Sequence, residues 1–108
     1  LNVCIQVNIS NEDSKSGLKI NEIDSLADYI NTLDKLTLRG LMAIPTNTSD
    51  DEILRNEYKQ LKVIYEDLRK KYTSVDTLSM GMSNDYLLAI ENGSNLVRIG
   101  SKIFGKRA

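Results

Sequence analysis

Apolar and polar residues alternate from the first position. Leu1, Val3, Ile5, Val7 and Ile9 are separated by Asn2, Cys4, Gln6, Asn8 and Ser10, the period of a strand with one apolar face. The polar run NEDSKSG, 11–17, reads as a loop. Beyond it Ile20, Ile23, Leu26, Ala27, Ile30 and Leu33 fall on one side of a helix. Leu36 to Ile44 predicts a second strand, stopped by Pro45, which lacks the N–H that a ladder requires. Ser49-Asp50-Asp51-Glu52 has the spacing of a capping box, in which hydroxyl and carboxylate each satisfy an orphan backbone donor. Leu54, Tyr58, Leu61, Tyr65, Leu68 and Tyr72 then recur at steps of four and three. They predict a long helix with one apolar stripe, and Arg69, Lys70 and Lys71 sit where its dipole favours cations. Tyrosines in that seam suit packing on a sheet better than a coiled coil. Val75 to Met82 reads as a third strand, Asn84 to Asn92 as a short helix closed by Gly93 in a left-handed cap, and Leu96 to Ile99 as a fourth strand.

Helices between every pair of strands require parallel pairing with right-handed crossovers, so the expected class is α/β. Four strands and three helices are about half of an eight-stranded β/α barrel, whose usual size is ~250 residues. The chain begins inside a strand without an initiator methionine, and a fragment is expected. An open, doubly wound sheet is the alternative, although no G-x-G-x-x-G follows the first strand to hold a dinucleotide.

Composition narrows the partners. The chain has 108 residues, ordinary for one domain, and 14 Lys plus Arg against 15 Asp plus Glu leave a formal charge of −1. No basic stripe announces nucleic acid. No apolar run approaches the roughly 20 residues of a membrane helix, and no secretory leader is recognisable, so a cytoplasmic location is expected. Cys4 is the one cysteine and histidine is absent, which disfavours zinc and thiol catalysis and leaves a buried, apolar Cys4 as the simplest reading. Asp76, Asp85 and Glu91 show no pairing suited to acid/base work, and Asp85 most simply favours a helix start.

Two segments carry the candidate chemistry: Ser79-Met80-Gly81-Met82-Ser83 and Arg98-Ile99-Gly100-Ser101. Each follows a strand and offers backbone N–H groups freed by glycine together with a hydroxyl. In a β/α barrel the loops after the last two strands commonly converge on a phosphate. Gly100 lets the backbone approach an anion closely, and Ser83 can cap the following helix. A plain strand end with a helix cap, and an Arg98 paired with a carboxylate, remain open on the local sequence alone.

IQVNIS with the later SKSG, then LRGLMAIP, LSMGMSNDY and VRIGSKIFG, occur in the order seen in the pyridoxal phosphate homeostasis protein family, and the chain resembles the C-terminal half of its members over essentially its whole length. Those proteins are single barrels similar to the N-terminal domain of alanine racemase. The resemblance implies pyridoxal 5′-phosphate as cofactor, held without catalytic turnover. It makes Ser83 a hydroxyl ligand of the cofactor phosphate, supported by the Met82 and Ser83 backbone, with further donors from Gly100 and Ser101. It also implies that Arg98 faces the pyridine nitrogen, and that Ser79 and Met42 lie near the ring on the inner wall. The Schiff-base lysine of the family belongs to the first barrel strand, in the N-terminal half, which this chain does not include. Lys15 and Lys102 occupy no equivalent place. The expected partners are therefore the cofactor, PLP-dependent apoenzymes and the other half of the barrel.

Three functions follow. The first is a non-catalytic carrier that buffers the cofactor. The second is a racemase-like enzyme, which needs another acid/base group across the ring and usually another domain. The third is a half-barrel whose open strand edges drive self-association.

Overall fold

The computed structural model describes residues 1–9, 17–46, 48–82 and 85–98. Four strands, β1 (Asn2–Val7), β2 (Thr37–Ala43), β3 (Thr77–Met82) and β4 (Leu96–Arg98), alternate with three helices, α1 (Ile23–Asn31), α2 (Asp51–Lys71) and α3 (Tyr86–Glu91). The sheet order is β1-β2-β3-β4 and every pairing is parallel. In a doubly wound sheet the order reverses at a switch point. Here it never does, and right-handed crossovers between successive neighbours put every helix on the same face. Each helix packs on the two strands that it joins.

That helix-covered face is where the apolar positions meet. Ile5, Leu41 and Leu78 form one row in register across three strands, and none of them is more than 2% exposed. Against them lie Ile23, Ala27 and Ile30 of α1, the α2 stripe Leu54, Tyr58, Leu61, Tyr65 and Leu68, and Ala89 of α3. The four-and-three spacing of α2 thus reaches the core as expected. Its sixth member, Tyr72, stands beyond the last turn in extended conformation and donates its hydroxyl to Asp28 of α1.

Helix starts differ from the sequence reading. Asp50, not Ser49, caps α2: its Oδ1 accepts from the Glu52 N–H at 2.9 Å, while its own N–H donates to Thr48 Oγ1 at 3.1 Å. An aspartate in extended conformation one residue before the first turn reaches that donor directly. The first helix is split into a 3-10 turn at Ile20–Glu22 and α1 proper. Gly93 has φ +103°, the left-handed closure expected of it, and a Cβ there would lie 2.7 Å from the Lys62 side chain.

Cys4 is exposed rather than buried. Strand alternation sets it on the face away from the helices, in register with Gly40. Partial burial of the thiol pushes its pKa up, the Asp76 carboxylate adds to this, and the Arg39 guanidinium opposes it.

Among the described residues, both outer strands keep one open edge. A short bridge from Leu18 to Val7, with Leu18 N–H on Gln6 O at 2.9 Å and Asn8 N–H on Leu18 O at 2.8 Å, closes only the last part of β1. Unpaired parallel edges template further pairing. The 108-residue chain on its own is therefore expected to self-associate or aggregate, and sedimentation velocity finding a stable, folded monomer would contradict this.

Candidate functional site

Opposite the helices, register places Gln6, Met42, Ser79 and Leu96 side by side, one from each strand. This row brings together Ser79 and Met42, two residues expected on an inner wall. Ser79 is 3% exposed, and no described residue hydrogen-bonds its hydroxyl. A buried hydroxyl without a partner forfeits about 1–3 kcal/mol of hydrogen bonding, so Ser79 is a candidate ligand contact. A polar ligand on this face would supply the partner.

One step closer to the C-terminal strand ends, the β3–β4 register shifts. Ser79 pairs with Leu96 but Met82 pairs with Arg98, so three β3 steps oppose two of β4. Gly81, at φ +103°, lies within this bulge, and a glycine supplies the positive φ that such a bulge uses. The bulge brings the backbone of Met82 beside that of Arg98 at the rim, where βα loops gather in a parallel sheet. Of the expected ligands, Ser83, Gly100 and Ser101 lie outside the described residues, as do Lys15 and Lys102; Arg98 is described by its strand position alone.

Met82 departs from expectation. Its N–H donates to Asp85 Oδ1 at 2.7 Å and its carbonyl accepts from the Asp85 N–H at 3.1 Å. The N–H proposed for an anion is thus already committed within the turn, because a carboxylate three residues on outcompetes solvent for it. Asp85 accordingly does not cap α3 through its side chain. Its other oxygen, Oδ2, accepts from the hydroxyl of Tyr58 on α2. Immediately before Tyr58, Glu57 grips the loop after β2: Thr46 N–H donates to Oε1 at 2.8 Å and Thr46 Oγ1 to Oε2 at 2.6 Å. Two consecutive α2 residues therefore hold the loops after β2 and β3.

Thr46, Glu57, Ser94 and Asn95 form contacts that no sequence periodicity announced. Ser94 Oγ donates to Met80 O at 2.6 Å, and Asn95 accepts from Leu78 N–H at 2.8 Å while its amide donates to Asp76 O at 2.7 Å. Side chains thus pin the start of β4 to β3. A Ser-Asn pair directly after a helix-closing glycine was the local signal for this.

The other end of the open face carries charge. Arg39 donates through Nε to Asp76 Oδ1 at 3.1 Å and pairs with Oδ2 as well. Hydrogen bonding from Thr77, then from Arg39, holds the Asp76 carboxyl below its ordinary pKa. No cluster of metal ligands occurs among the described residues, and no helix there is long and apolar enough to cross a membrane.

Comparison with known proteins agrees with this architecture. A pyridoxal phosphate homeostasis protein of Vibrio alginolyticus is 51% identical over 107 residues, covering 99% of this chain and 46% of that protein. Its Escherichia coli K12 counterpart is 49% identical over the same length, with 99% and 46% covered. The chain thus spans under half the length of these curated relatives. Among solved structures, an unknown protein from Bifidobacterium adolescentis superposes with a TM-score of 0.91 at 35% identity, covering 96% of this chain and 43% of that one. PipY of Synechococcus elongatus, solved without PLP, gives 0.88 at 25% identity, with 96% and 49% covered. The sequence model of the family described as alanine racemase, N-terminal domain, matches residues 1–108. With an all-parallel α/β sheet wound in one direction and a match from end to end, this chain belongs to the alanine racemase N-terminal domain family.

Proposed function

We propose that the chain is one half, the C-terminal half, of a β/α barrel that holds pyridoxal 5′-phosphate without turning over a substrate. In this reading it buffers the cofactor in the cytoplasm and releases it to PLP-dependent apoenzymes. The order of the LRGLMAIP, LSMGMSNDY and VRIGSKIFG motifs supports the assignment of the half. The names of relatives near 50% identity support the cofactor. The observation that carries the reading is the buried Ser79 hydroxyl, which no described residue hydrogen-bonds, in register with Met42 on the face away from the helices.

When bound, the cofactor supplies a reactive aldehyde on an electron-withdrawing pyridine ring. Ser79 and Met42 would line the ring; Ser83, Gly100 and Ser101 would hold its phosphate by hydroxyl and N–H donation. Arg98 would set a fixed guanidinium at the pyridine nitrogen, keeping it unprotonated and weakening the ring as an electron sink. That favours holding over carbanion chemistry.

The test is a titration of the complete protein with pyridoxal 5′-phosphate, followed by cofactor absorbance. Replacing Ser83 and Ser101 together by Ala is expected to weaken binding about tenfold or more. Ser79→Ala should also weaken binding, yet leave the thermal midpoint of the cofactor-free protein unchanged or raised, since it removes an unsatisfied group. Unaltered affinity in both variants would overturn the site. Racemisation of an amino acid by the purified protein would replace the carrier reading with an enzymatic one.

A further inference from the structure

The rim after β3 is held in part by a side chain of α2. Tyr58 is 1% exposed within the α2 core stripe, yet its hydroxyl emerges at the strand ends to meet Asp85. A buried tyrosine oxygen needs such a partner, and Asp85 in turn has one oxygen on Tyr58 and the other on the Met82 N–H. Both carboxylate oxygens are thereby occupied by donors. Asp85 N–H on Met82 O completes a closed ring of bonds between strand end and helix start.

A carboxylate beside a phosphate site is repulsive unless its lone pairs are engaged and its direction fixed. Fixing it does two things. It ties the start of α3 to the strand end, and it engages both oxygens of the Asp85 carboxylate, one on the Met82 N–H and one on the Tyr58 hydroxyl. We propose that Tyr58 and Asp85 are positioning residues for an anionic ligand group at the β3–α3 rim, acting by holding the strand end and by keeping both oxygens of the Asp85 carboxylate engaged by donors. This deepens the proposed cofactor site and rests on it. The ligand class is a dianionic phosphate monoester. The Met82 N–H, spent on Asp85, is not among its donors.

The experiment compares pyridoxal 5′-phosphate with pyridoxal, which has the same ring and no phosphate, on the complete protein. Tyr58→Phe removes one oxygen from an otherwise unchanged side chain. It is expected to weaken the phosphorylated ligand about tenfold while altering pyridoxal binding less than about twofold. Asp85→Ala should reproduce this selective loss. Asp85→Asn, which still accepts from the Met82 N–H and can donate to the Tyr58 oxygen, should recover much of it. If Tyr58→Phe does not fold, the Ala and Asn pair at Asp85 carries the same comparison. Equal losses for the two ligands would mean a merely structural clamp and overturn the proposal, as would no loss for either. Failure of the unmodified protein to bind pyridoxal 5′-phosphate would overturn the underlying site, and this inference with it.

Discussion

Gly40→Ala is expected to destabilise the complete protein by about 3 kcal/mol or more, the upper range for overpacking in a tightly packed interior. Gly40 lies in β2 between Cys4 of β1 and Thr77 of β3. A Cβ built there would sit 1.7 Å from the carbonyl oxygen of Thr77 and 2.6 Å from its carbonyl carbon. Those atoms belong to a neighbouring strand backbone and cannot rotate aside as a lysine end can. One relief is to separate β2 from β3, which breaks the ladder between Gly40 and Thr77, Leu41 and Leu78, Met42 and Ser79. The other is a register change, which moves the buried set to the wrong face. The glycine stands beside an irregularity in which β1 passes from Val3 to Cys4 while β2 passes from Leu38 to Gly40, leaving Arg39 as the extra residue. That bulge turns Arg39 toward Asp76, whose own N–H donates to Arg39 O at 2.8 Å. Thermal or denaturant unfolding monitored by circular dichroism measures the effect, and a midpoint equal to that of the unmodified protein would refute the steric argument.

Leu41→Ala carries the second large effect, about 2–5 kcal/mol from lost transfer energy and the cavity left behind. Leu41 is fully buried at the centre of the row joining Ile5 and Leu78, under the α-helical layer. A rigid sheet position flanked by two other strands collapses poorly around a deletion, so the cost should fall in the upper part of that range. Leu41→Met, which nearly conserves volume, should cost under about 1.5 kcal/mol. If the Ala and Met variants unfold at the same denaturant concentration, volume is not what Leu41 supplies.

These two positions show what kinds of information the chain displays. Leu41 was legible only as part of the apolar run that Pro45 ends; the bulge at Arg39 sets it on the same core face as Leu38. Gly40 carried no such signal, because its requirement comes from the backbone of a strand 37 residues later. The same division runs through the candidate site. The segment SMGMS was recognisable as a glycine-bearing strand end, but the use of its glycine is a bulge against β4. The free N–H expected at Met82 is taken by Asp85, a local contact whose geometry the spacing alone did not reveal. Tyr58 read correctly as a core residue, and only its hydroxyl has a further use.

By itself, the sequence determined the element order, the α/β class, the apolar stripe of α2 and the left-handed closure at Gly93. Each follows from periodicity or from one residue's conformational freedom. The tertiary structure alone decided between a sheet wound in one direction, as in the expected barrel, and the doubly wound alternative. It set Cys4 on the face away from the helices and brought Gln6, Met42, Ser79 and Leu96 into line. It also decided that Glu57 and Tyr58 reach two separate loops. Such facts depend on pairing register and on contacts between residues far apart in the chain, and no local pattern encodes where a distant backbone will lie.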